Sequence, residues 1–258
     1  MTLIRAELIK LRRSKLVWVV GGLCALFDVF LFAIYTANGS SVFEPELLPL
    51  GQLAALFLCS FIAIANVIPA VLIGGYVGAQ DYGDRVAGSA VHWGGRYQSL
   101  AGKVVATVLA LCTLVVATAL FGLLLGLAHD TNLAHLDLLR LLHQTGLGML
   151  ATAMLGLFAL TVATLVRSLA LANLITVVTL FGQMFLPPRL GQVTRFVNPL
   201  ACLGDAAESA FSNLDGLRNF STSFGNGLSL GQSVIGLVVY VFCCLAALCL
   251  VARFREYR

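Results

Sequence analysis

Few side chains in this 258-residue chain are spaced for bond-making. No His-Glu-x-x-His pair offers two imidazoles on one helical face to a zinc ion, and no carboxylate pair is set for acid–base work. His129, His135 and His143 lie six and eight residues apart, which matches neither a His-x-x-x-His pair nor a Cys/His zinc pattern. A phosphate-binding loop needs Gly-x-x-x-x-Gly-Lys-Ser/Thr; here Gly102-Lys103 is followed by Val104, and the earlier glycine position holds Tyr97. The expectation is a chain that is not an enzyme, binds no cofactor or metal, and hydrolyses no ATP itself. The one residue with chemistry in an apolar setting is Asp28, because a carboxylate inside a membrane is costly and usually marks an ion or proton path.

The elements around these residues explain the scarcity. The chain is 59% hydrophobic and 11% charged, with a net charge of +4, and its mean hydropathy is +0.95. Soluble proteins run about 45–50% apolar and about 25% charged, so too few polar residues exist here to cover a water-soluble surface. Disorder is excluded by the same hydrophobicity. Six apolar runs of bilayer-crossing size stand at about 16–36, 51–79, 104–128, 141–166, 169–186 and 232–252. The first follows a basic segment as a signal peptide would, but its length and the want of a small-residue cleavage site favour an uncleaved span. Pro69 is expected to kink the second, and Pro187-Pro188 to end the fifth, which is the shortest. Six of the seven cysteines lie in these runs, so no disulfide framework is expected.

Charge sorts the connections. Twelve of the sixteen Lys and Arg fall before the first run, between the second and third, between the fourth and fifth, or after the sixth. Positive charge collects on the cytoplasmic side, so both termini are expected there. The opposite connections carry Glu44, Glu46, Asp130, Asp137, Asp205, Glu208 and Asp215. Basic residues that punctuate helix ends in this way are an orientation signal and not a nucleic-acid footprint. Asn66, Asn173 and Gln183 suit hydrogen bonds between helices, and the small-residue pairs Gly74/Gly78 and Gly122/Gly126 let backbones approach closely. The outer connection, 187–231, contains an apolar–polar mixture at 200–214 that suits a short re-entrant helix.

Two inner stretches are more specific. Residues 1–15 read MTLIRAELIKLRRSK, with Ile4, Leu8 and Leu11 on one helical stripe and Lys10, Arg12 and Arg13 among the cations. Such a helix is expected to lie along the inner membrane surface. Glu7 falls on the apolar side and needs a cation, for which Arg85, Arg96 and Lys103 are candidates. The second stretch, 80–103, reads QDYGDRVAGSAVHWGGRYQSLAGK. It opens on Asp81, Asp84 and Arg85, passes His92 and Trp93, turns at Gly94-Gly95, and closes on Arg96, Tyr97 and Lys103.

These two stretches resemble the ABC-2 type permeases of ATP-binding-cassette exporters. In that family the connection between spans two and three begins with an acidic residue and a Gly-Thr-like turn. It ends in Pro/Gly-x-Arg, with a Lys at the head of span three. Gly94-Gly95-Arg96 and Lys103 match the second half, including the seven-residue step. Asp81 or Asp84 stands in for the family's acid, and Val86-Ala87 departs from the Gly-Thr turn. AELIKLRRSK resembles the family's interfacial elbow helix, with Glu7 as its acid.

The resemblance implies an all-α, polytopic membrane protein: an elbow helix at 1–15 and a six-span domain at 16–258. Within that domain it implies a cytoplasmic coupling helix near 85–98 and short re-entrant helices on the outer side. It also implies a dimer, homo- or hetero-, with two separate ATPase subunits that hold ATP and magnesium. Small permeases of this kind are similar to bacteriocin, lantibiotic and drug exporters of bacterial plasma membranes. The competing expectation, from the residues alone, is a secondary carrier or channel that uses Asp28.

Overall fold

In a computed structural model, residues 2–42, 66–83, 95–129, 138–182 and 230–254 are described, and among them the chain is all-helical. The helices are α1 (Thr2–Arg13), α2 (Lys15–Val42), α3 (Val67–Gly83), α4 (Arg96–His129), α5 (Leu138–Val166), α6 (Leu169–Gly182) and α7 (Leu230–Phe254). Segments of α4, α5 and α7 are long and apolar enough to cross a membrane: Tyr97–Leu125, Gly148–Val166 and Val234–Arg253. The apolar parts of α2, α3 and α6 within the described residues are shorter. The first part of the second apolar run (51–65) and the outer connection up to residue 229 lie outside the described residues.

Helix α5 is the centre. It packs most extensively on α3 and also contacts α4, α7 and α6. Ala151, Met154, Leu155, Ala159 and Leu160 of α5 are buried together with Val71 and Ile73 of α3, Leu111 of α4, and Leu237 and Leu248 of α7. The α3–α5 seam is made by glycines. A Cβ added at Gly74 would collide with the backbone carbonyl of Gly156, and one at Gly78 would sit 2.7 Å from Ala163 Cβ and 2.8 Å from Leu160 O. Helices that meet in lipid gain little from hydrophobicity, so close backbone contact supplies dispersion energy instead. The Gly74/Gly78 pair therefore does what its spacing predicts, and Gly156 completes the seam from the other side.

Alanines fill the interior beside large side chains such as Ile73, Leu111 and Met154, and many further large apolar side chains lie on the surface. Ala70, Ala106, Ala151, Ala159, Ala163 and Ala172 are buried, whereas Leu26, Phe30, Leu124, Val178, Ile235 and Phe242 are exposed. A water-soluble chain buries its large apolar side chains; one solvated by lipid has no need to. Several threonines settle their hydroxyls on their own backbone: Thr161 donates to Leu157 O at 2.7 Å and Thr176 to Ala172 O at 2.8 Å. Between helices, Asn66 Nδ2 donates to Thr118 Oγ1 at 3.4 Å, joining the start of α3 to α4. Asn173 Oδ1 lies against Gly75, where a Cβ would displace it. The interhelical hydrogen bond expected of these residues is present at Asn66; Asn173 Oδ1 is buried without a hydrogen-bond partner among the described residues, and Gln183 lies outside them.

Pro69 is the third residue of α3. In the first turn of a helix its missing N–H would have had no intrahelical partner, so it opens the helix without breaking it. The link from α5 to α6 is two residues, and Arg167 there takes a left-handed φ of 61°. Its N–H bonds Ala163 O at 2.8 Å and closes α5, and Ser168 O accepts from Ala172 N at 3.0 Å to open α6. A non-glycine residue in that conformation carries roughly 1–2 kcal/mol of backbone cost, which the short connection imposes.

Candidate functional site

The candidate site lies where α1 meets the first turns of α4. Glu7, Leu11 and Ser14 are buried and spaced four and three residues apart, so they form one stripe; Arg5, Ile9, Arg12 and Arg13 face outward. Leu11 packs in the main core with Leu100 of α4, and Leu8 and Val104 border the same cluster. Helix α1 also makes a smaller contact with α2. The chain breaks at Ser14, whose N–H still reaches Leu11 O at 3.1 Å, and α2 begins at Lys15. Trp18 of α2 folds back, its indole N–H donating to Arg12 O at 2.9 Å. That bond caps one of the carbonyls left over at the end of α1.

Glu7 pairs with Lys10, Nζ to Oε1 at 2.9 Å, with side-chain exposures of 8% for Glu7 and 33% for Lys10. The cation found on Glu7 is therefore one helical turn away on its own helix, where the sequence suggested Arg85, Arg96 or Lys103. Of those three, Lys103 is buried on α4, the helix α1 packs against. Arg85 and the side chain of Arg96 lie outside the described residues.

Helix enters the 80–103 connection from both ends. Helix α3 runs on through Gly83, and α4 begins at Arg96, so residues 96–103 are already helical. Lys103 lies two turns inside α4. At 34 residues α4 is about 51 Å long against a hydrocarbon core of about 30 Å, so it projects beyond the bilayer it would cross. Gly95 precedes it with a φ of 74°, the left-handed turn expected at Gly94-Gly95, and accepts from Ser99 N–H at 3.1 Å. Tyr97 is exposed on the first turn of α4.

Asp81 lies in the last turn of α3, but its side chain, like that of Asp28 in α2, is outside the described set. Asp84, His92 and Trp93 fall outside it altogether. The described geometry thus unites Glu7, Lys10 and the buried face of α1 with α4 near Lys103, and leaves the middle of the connection undescribed.

Three features escaped the sequence reading. The tie from Trp18 to Arg12 had no signal beyond an aromatic near a run of cations. Gly156 has no glycine four residues away: Thr152 and Leu160 flank it. Gly227-Leu228-Ser229-Leu230-Gly231 has the Gly-x-Ser-x-Gly spacing of a serine nucleophile elbow. That elbow needs a strand before the serine and a helix after it. Helix α7 begins at Leu230, there is no strand among the described residues, and Ser229 is not one of them. Among the described residues no three His, Cys, Asp or Glu side chains gather to hold a metal. No protein-family model matches the chain, and no curated protein matches it.

Proposed function

We propose that the chain is the transmembrane permease subunit of an ABC-2 type exporter in a bacterial plasma membrane. It would act as a dimer with two separate ATPase subunits, moving an amphipathic or lipophilic substrate such as a peptide antibiotic, drug or lipid outward. The observation that carries this reading is the packing of α1, with Glu7 buried and held by a partly exposed Lys10, on the first turns of α4. The two sequence stretches that resemble the family are far apart along the chain, with the first two apolar runs between them, yet α1 packs on the part of the second stretch that opens α4. An amphipathic helix so anchored can pass a displacement from the connection before α4 into the helix that crosses the membrane. The small-residue seam between α3 and α5 supports the same reading, because it lets those helices move as one body.

The test is co-expression of the tagged chain with an ATPase subunit encoded beside it. A stable complex is expected, and Arg96→Glu is expected to weaken it at least tenfold while leaving expression intact, because a reversed charge at the partner surface is expected to cost about 1.4 kcal/mol or more. A chain that purifies alone and carries solute on an ion gradient contradicts the proposal in favour of a carrier built around Asp28.

A further inference from the structure

The outer face of α1 and the start of α2 carry a cluster of cations. Arg5, Arg12, Arg13 and Lys15 are exposed, and none has an ion-pair partner among the described residues. The acid in this segment, Glu7, is buried on the opposite face and is occupied by Lys10. Arg5 and Arg12, seven residues apart, fall on one side of the helix about 10 Å from each other. Directly after Lys15 the surface changes character: Trp18 is 70% exposed, and Val19, Leu23 and Leu26 continue as exposed apolar side chains along α2. A tryptophan at that boundary is characteristic of the headgroup level of a bilayer. This indole is also held in place by its bond to Arg12 O, which fixes the plane of the ring beside the cationic pair.

We infer that the elbow between α1 and α2 is a docking site for anionic glycerophospholipid headgroups, with Arg12, Arg13 and Lys15 on the phosphate and Trp18 against the glycerol and upper acyl region. Charge complementarity selects the headgroup. The apolar surface that continues along α2 from Trp18 selects a lipid over a soluble anion. Burial of Glu7 with Lys10 keeps the carboxylate of this segment from neutralising the site. The inference does not depend on the transport reading, since it concerns the elbow alone.

The chain has two tryptophans, so Trp93→Phe leaves Trp18 as the single reporter. Reconstituted into bilayers that contain brominated phosphatidylglycerol or brominated phosphatidylcholine at equal mole fraction, the protein is expected to show stronger Trp18 quenching by the anionic lipid. The preference should shrink as salt is raised. Arg12→Gln with Arg13→Gln should lower the relative affinity by about fivefold per cation, the factor that corresponds to about 1 kcal/mol for each surface Lys or Arg. Arg12→Lys with Arg13→Lys should keep most of it. Equal quenching by the two lipids overturns the inference, and the salt series on the protein with Arg12 and Arg13 intact decides this even if a variant fails to fold. Headgroup-blind quenching would instead assign these cations to an acidic protein partner.

Discussion

At the residue scale the chemistry of this chain is a matter of where a few charges are tolerated. A carboxylate taken out of water is stable only beside a cation, and Glu7 has Lys10 at 2.9 Å. The two partners are unequal: Glu7 is enclosed against α4, whereas a third of Lys10 remains exposed. Loss of the lysine strands a buried charge, while loss of the acid leaves an ammonium that can turn to water. Lys10→Met should therefore destabilise the purified protein by about 1–3 kcal/mol and Glu7→Gln by no more than about 1 kcal/mol. Thermal unfolding in detergent reads the order; equal losses would mean that the pair is not what stabilises the carboxylate.

At the scale of elements, two contacts organise the molecule, α3 against α5 and α1 against α4. The first tolerates no added atom at its closest point. Gly74→Ala places a methyl group on the Gly156 carbonyl and should cost about 1–3 kcal/mol, since backbone has to move. Gly21→Ala, inside α2 with nothing within 4 Å of the new carbon, should stabilise by about 0.5–1 kcal/mol, the gain in helix propensity alone. A comparison of the two variants by chemical denaturation separates packing from helix propensity. Helix existence was legible in the sequence wherever an apolar run met a hard stop: α5 ends at Val166, α6 begins at Leu169, and α1 ends beside Ser14. The amphipathic stripe of α1 and the role of Gly74 and Gly78 were legible for the same reason, because periodicity and side-chain size are local properties. The helical start at Arg96 was not, since 96–103 is too polar to read as part of a span and becomes helical by continuation of α4. Nor was the choice of Lys10 for Glu7, because an i,i+3 partner and a partner on another helix satisfy the same charge.

At the scale of the molecule, the described residues form an all-helical bundle with many large apolar side chains on its surface, and three of its helices are long and apolar enough to cross a membrane. In the proposed function such a bundle is driven by a partner that hydrolyses ATP, and the contact between α1 and α4 receives the displacement. The direct measurement is ATP turnover by the partner ATPase in proteoliposomes, with and without this chain, and with Pro substituted at Ala90 in the connection that leads to α4. Turnover is expected to rise when the chain is present, and in Ala90→Pro that stimulation should fall by about tenfold or more, the scale of a lost coupling of about 1.4 kcal/mol or greater. Turnover indifferent to the chain, together with solute flux on an ion gradient when no ATPase is present, would contradict the proposal.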